Sequence, residues 1–221
     1  MRAGLPTMDG GTFAMSLSYF AFIGAGYMLI QIPLLQRFSV YLGHPTYTFA
    51  IILFTMILFT GFGSLISDRF PVERHSWVLK IPLAIGAGVL LLMLGIQPLI
   101  ERTIQFELPA RSLIVILCTA PIALLLGFCF PLGMTLVGRL SADATAWMWG
   151  VNGACGVLAS IAAVGISMWL GIDTNLLAAG LAYTLLLIPA LGLARRARVR
   201  QSATASAYSA PASSDLVTNK P

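Results

Sequence analysis

The chain has 221 residues, of which 58% are apolar and only 10% charged, against about 25% charged in an ordinary soluble domain. A soluble fold of this size cannot hide so much apolar surface, so a bilayer is the solvent that fits. The net charge of +5 is uneven: Arg195, Arg196, Arg198 and Arg200 directly follow the last apolar run. In that position a topology and lipid-headgroup anchor is the better reading, and nucleic-acid binding the poorer one.

Six apolar runs can be drawn in chain order, at 13–35, 46–66, 77–100, 112–136, 146–170 and 175–194. Each is near the ~20 residues that a helix needs to cross a bilayer. The expected fold class is therefore an all-α integral membrane protein with about six transmembrane helices. Residues 1–12 form a short N-terminus, 13–194 the membrane domain, and 195–221 a tail that is basic and then disordered. The first run has no clear small-x-small cleavage site, so it reads as an anchor that stays. Pro33 should bend the first span near its end, and Pro121 and Pro131 should kink or break the fourth.

Small and polar residues mark two of the spans. Ser16, Tyr19, Gly24, Tyr27 and Gln31 share a broad face of the first, although Phe20 lies on it too. Tyr27 and Gln31 are one turn apart and could share a hydrogen bond. The fifth span carries Asn152, Gly156, Ser160, Ala163 and Ser167. Such stripes serve close helix packing, with Asn152 bonding to a neighbour, or they line a polar path for a solute. Tyr19, Tyr27, Gln31, Asn152 and Ser160 are the candidate residues.

The connections carry two further candidates. In Gly43-His44-Pro45 the proline suits a first helical position and His44 is a possible cap, which makes an outer turn. The loop that closes Gly61–Arg74 holds Asp68, Arg69, Glu73 and Arg74. These charges can cap helix ends and pair across the loop, or act as a gate between helices that rock.

Counting Lys and Arg by side gives ten with the two termini and three (Arg37, Arg102 and Arg111) on the other. The positive-inside rule then places both termini in the cytoplasm. The four tryptophans all sit near span ends, as interfacial belts prefer.

No acidic residue lies clearly within a span, so proton-coupled transport finds little support. Walker, His-Glu-x-x-His and Gly-x-Ser-x-Gly motifs are missing. Cys118, Cys129 and Cys155 have no metal or haem spacing and read as small core residues. His44 and His75 fall on opposite sides of the membrane and cannot share a haem. No catalytic, cofactor-binding or metal-binding residue is expected.

Several blocks carry a resemblance in family order. They are the run from Gly24 to Tyr47, Leu58–Ser67, Phe-Pro-Leu-Gly-Met at 130–134, and Ala-Trp-Met-Trp-Gly-Val-Asn-Gly at 146–153 continuing to Ser160. Over about residues 17 to 190 the chain resembles the membrane domain of the fused spermidine synthase-like proteins of bacteria. The resemblance implies helices related to one half of a major facilitator fold, in the bacterial inner membrane. It also implies that the Gly61–Arg74 loop is similar to the facilitator motif between helices two and three. Two departures stand out: Gln31 replaces a glutamate usual in the family, and the soluble synthase domain is missing. The chain thus looks like the membrane half of such a protein, cut off or encoded alone.

Three functions follow as expectations. One is a membrane module without its own catalytic domain, which anchors or assembles with a partner such as a second copy or a separately encoded synthase-like protein. Another is a dimeric carrier of a small solute such as a polyamine. The last is a fragment of a membrane-bound spermidine synthase-like enzyme. The bilayer is a partner in all three.

Overall fold

The computed structural model describes residues 8–67, 69 and 75–209, with backbone alone at 75–76 and 203–209. Seven α-helices account for nearly all of it: α1 (Gly10–Leu42), α2 (Pro45–Ser67), α3 (His75–Thr103), α4 (Leu108–Leu140), α5 (Thr145–Leu170), α6 (Ile172–Leu185) and α7 (Leu187–Ser209). A single 3-10 turn, Ala142–Ala144, precedes α5. There is no strand among the described residues. Six helical stretches are long and apolar enough to cross a membrane, the last made of α6 and α7 together. The all-α fold and the number of spans follow the composition: without water, each peptide group must bond within its own segment.

Local chemistry sets the helix ends. Asp9 caps α1, its Oδ2 accepting from the Thr12 amide at 3.2 Å. Gly43 ends α1 with φ of 76°, a left-handed cap where a side chain would be strained. Pro45 then opens α2, and the His44 carbonyl accepts from the Thr48 amide at 3.1 Å. Gly171, with φ of 90°, separates α5 from α6.

Three expectations need correction. First, α1 continues through Gln36 and Arg37 to Leu42, so most of the stretch between the runs at 13–35 and 46–66 is helix rather than connection. Second, of the kink or break expected in the fourth span the break does not occur, since Pro121 and Pro131 both lie inside a continuous α4. The interruption falls instead at Leu186, between α6 and α7. Pro189 explains it, because its ring crowds the Leu185 carbonyl and supplies no N–H to it. Helical bonds persist on either side, from Leu186 to Ala182 (2.9 Å) and from Ala190 to Leu186 (3.1 Å). Third, α7 carries on to Ser209, into the stretch whose composition suggested a disordered tail. The rest of that tail lies outside the described residues.

Packing centres on α1, which touches α2, α4, α5, α6 and α7. The closest pairings are α2 with α4 and α1 with α5, and both cross at glycines. A Cβ on Gly63 would land on the Leu124 carbonyl, and one on Gly127 on the Thr60 carbonyl. Similarly, a Cβ on Gly24 would strike the Asn152 carbonyl. Lipid tails are as apolar as side chains, so helices gain from close backbone contact more than from burying apolar area. The outward faces are correspondingly apolar: Ile57 and Leu65 on α2, Leu91 on α3, Leu158 and Ile161 on α5 are all exposed.

Polar contacts tie the bundle at both ends. At one end Arg196 of α7 donates to Asp9 (2.9 Å) and to the Thr12 hydroxyl, and Arg200 donates to the Leu140 carbonyl. The start of α1 and the end of α7 therefore lie together. At the other end Arg37 pairs with Asp173. There Arg111 donates to the Tyr41 carbonyl at 2.7 Å, and the Tyr41 and Thr103 hydroxyls meet at 2.7 Å.

Gly63→Val and Gly127→Val should each lower stability by about 1–3 kcal/mol through overpacking of the α2–α4 crossing. Gly150→Ala, where nothing lies within 4 Å, should be near neutral. Thermal unfolding in detergent checks all three.

The Thr12 amide, and then Arg196, hold the Asp9 carboxyl below its ordinary pKa of 3.8. A lowered carboxylate pKa contributes stability above the unfolded value and loses it as pH falls through the folded value. The stability gap between the wild type and Asp9→Asn should therefore shrink as pH is lowered from 5 towards 2. A gap that does not change with pH would contradict the pairing.

Candidate functional site

A groove of about 520 Å³ lies between α1, α2, α4 and α5. That size suits a small molecule or a partner's side chains. The close α1–α5 and α2–α4 crossings create it: Gly24 and Gly156 from one pair and Gly127 from the other form part of its wall. Ile57 and Val157, 68% and 62% exposed, lie at its rim and leave it open at the side of the bundle. Phe130 contributes an aromatic wall and meets Trp149 edge-on, with ring centroids 4.6 Å apart.

Four polar side chains interrupt this apolar lining: Tyr27, Thr60, Ser64 and Asn152. Thr60 returns its hydroxyl to the Met56 carbonyl of its own helix at 2.6 Å. Asn152 is placed by the α1–α5 crossing, where its Oδ1 is buried against Gly24 without a hydrogen-bond partner. Among the described residues, no carboxylate, Lys, Arg or His lines the groove. The wall can therefore orient an uncharged group through hydrogen bonds, but it has nothing to neutralise a buried charge.

The candidates from the two stripes separate in space. Tyr27 and Asn152 meet at the groove. Tyr19 does not reach it; its fully buried ring packs beneath Gly133, and its hydroxyl donates to the Cys129 carbonyl at 2.8 Å. Gln31 is buried, and among the described residues no hydrogen bond joins it to Tyr27. Ser160 donates to the Val157 carbonyl of its own helix at 2.7 Å and stays off the groove.

Of the loop candidates, Arg69 is exposed in a turn whose amide donates to the Ile66 carbonyl at 3.0 Å. Asp68 and Arg74 lie outside the described residues. His44 is exposed, with its ring edge-on to Tyr47 at 5.6 Å; it serves the turn through its carbonyl.

A second polar cluster escaped the sequence reading. Asn175 of α6, fully buried, donates to the Ala163 carbonyl at 2.7 Å and to the Ser167 hydroxyl at 2.6 Å. Ser167 in turn donates to Gln36 Oε1 at 2.5 Å. The chain of bonds thus links α6, α5 and α1. Ser167 belongs to the small-residue stripe, but Gln36 lies just past the apolar run at 13–35, so the spacing within the runs does not pair the two. Thr60 and Ser64 were also missed, because hydroxyls that can bond back to their own helix leave no mark in an apolar run.

Comparison of the chain with protein-family models, with curated proteins and with solved structures finds no match. Six helical stretches long and apolar enough to cross a membrane, four of their helices enclosing a side-opening groove, make a multi-pass membrane protein the class the fold supports.

Asn175→Leu should destabilise the bundle by about 1–3 kcal/mol, because the Ser167 hydroxyl and the Ala163 carbonyl both lose the donor that ties α6 to α5. Ser160→Ala should change stability by less than about 0.5 kcal/mol. Thermal unfolding of the two variants side by side provides the check.

Proposed function

We propose that the protein is a membrane module without catalytic machinery of its own, related to the membrane domain of spermidine synthase-like proteins. In this reading it sits in a bacterial inner membrane with both termini in the cytoplasm and assembles laterally with a partner. The partner is a second copy or a separately encoded synthase-like protein. The groove between α1, α2, α4 and α5 carries the proposal. It opens at the side of the six-helix bundle, and its wall holds an unpaired buried Asn152 oxygen. A second bundle laid on this face would close the groove, as expected for one half of a larger facilitator-like assembly.

A photo-crosslinker at Val157, on the groove rim, tests this against one at Leu91 on α3, which is 71% exposed but lies away from the groove. The expected result is a specific protein adduct, a dimer or a synthase-like partner, from position 157 alone. Lipid adducts only, from both positions, would contradict the proposal.

A second reading, a carrier for a small solute, draws on the Tyr27, Thr60, Ser64 and Asn152 side chains in the groove. The uncharged lining favours neutral solutes over a polyamine. Spermidine uptake into proteoliposomes no greater than into empty liposomes is the expected result. Saturable spermidine uptake lost in Asn152→Leu would instead establish the carrier.

A further inference from the structure

Helices α3 and α4 leave a second groove between them, of about 310 Å³. Its wall includes Gly88, Leu91, Gly95 and Leu99 of α3, with Cys118 and Pro121 of α4. A Cβ placed on Gly95 would meet nothing within 4 Å, and Leu91 is exposed, so the groove is open along its side. Gly88 sits near the middle of the third span, Trp77–Thr103. From there to Leu99 the groove runs about 16 Å along α3, close to half of a ~30 Å hydrocarbon core. It therefore has the length of one leaflet, from mid-membrane to the end of the bundle that holds Arg111.

Two charges of opposite sign stand above it. Arg102 lies three residues beyond Leu99 and seven beyond Gly95, on the face of α3 that forms the groove. Glu107 is the N-cap residue of α4, and its side chain makes no capping bond. The short connection 104–107 keeps these two helix ends adjacent. Both residues are exposed. Among the described residues no hydrogen bond or ion pair engages either side chain, so they do not pair with each other. Their charged neighbours are already engaged. Glu101 lies off the groove face and accepts from Gln97 at 3.0 Å, and Arg111 donates to the Tyr41 carbonyl at 2.7 Å.

We infer that the α3–α4 groove seats one acyl chain of a zwitterionic phospholipid with a primary amine, its phosphate on Arg102 and its ammonium on Glu107. Lipid tails are as apolar as the groove wall, so the groove alone selects no lipid. It holds a chain of one-leaflet length directly beneath the two charges, and the charges supply the choice. The guanidinium donates to phosphate oxygens, and the carboxylate accepts from the ammonium. A quaternary amine has no N–H for Glu107. A headgroup with net negative charge meets that carboxylate without compensation. Each exposed contact of this kind contributes up to about fivefold in affinity.

The test uses the full chain in detergent, with dioleoyl lipids added at equal concentration and retained lipid read by native mass spectrometry. Phosphatidylethanolamine should bind saturably, and more tightly than phosphatidylcholine or phosphatidylglycerol. Its affinity should fall about fivefold in R102Q and in E107Q, and E107Q should also lose the preference over phosphatidylcholine. G95L places a side chain in the open part of the groove and should lower the affinity about 10-fold, without loss of thermal stability. Glycerophosphoethanolamine, the same headgroup without chains, should not compete at equal concentration. R102Q and E107Q change exposed side chains, so they report on binding even if G95L unsettles the fold. Equal affinity of the wild type and a folded G95L would overturn the inference, as would unchanged affinity in R102Q and E107Q. Binding of phosphatidylcholine or phosphatidylglycerol as tight as that of phosphatidylethanolamine would also overturn it. Displacement by glycerophosphoethanolamine would do the same, in favour of a headgroup site that makes no use of the groove.

Discussion

Everything in this fold depends on how closely α1 can approach its neighbours. In hydrocarbon there is no water to expel, so buried apolar area gives helices little reason to associate. What remains is contact at short range, and glycine supplies it at both main crossings: Gly24 against Asn152, and Gly63 with Gly127 against the backbone of the facing helix. The same contacts spread the helices apart beyond the crossing points. The side-opening groove is the geometric consequence of two tight pairs, α1–α5 and α2–α4, standing side by side.

The middle of each helix was legible in the sequence, and many of the ends were not. The spans at 46–66 and 146–170 come within a residue or so of α2 and α5, because Pro45 and Gly171 punctuate them. The first and last helices run well beyond the apolar runs at 13–35 and 175–194 for a shared reason. Apolar runs report the thickness of the hydrocarbon, whereas helices extend into the headgroup region, where Gln36, Arg37 and the arginines of α7 are at ease. The fourth span stays one continuous helix because a proline in a packed membrane helix is often tolerated. Pro121 and Pro131 sit in a helix with neighbours along its length, and among the prolines inside the described spans only Pro189 coincides with an interruption.

The candidate site was half legible. Spacing alone put Tyr27 and Asn152 on the faces that meet, since small residues mark where helices touch. Spacing could not say which members of a broad stripe turn towards which neighbour. Tyr19 faces α4 rather than the groove, and Ser160 satisfies itself within α5. The uncharged groove wall also bears on function: with no carboxylate among the described residues that line it, a polycationic ligand would enter without a counter-charge. That weighs towards assembly over polyamine transport.

Sidedness joins these strands, since the bundle sets Asp9 beside Arg196 and gathers the positive surplus at that end. In a chain whose three cysteines are replaced by alanine, single cysteines at His44 and Val199 can be labelled on cells with a membrane-impermeant maleimide. The account predicts labelling of His44→Cys on intact cells, and of Val199→Cys only after permeabilisation. Labelling of both positions from the same side would contradict it.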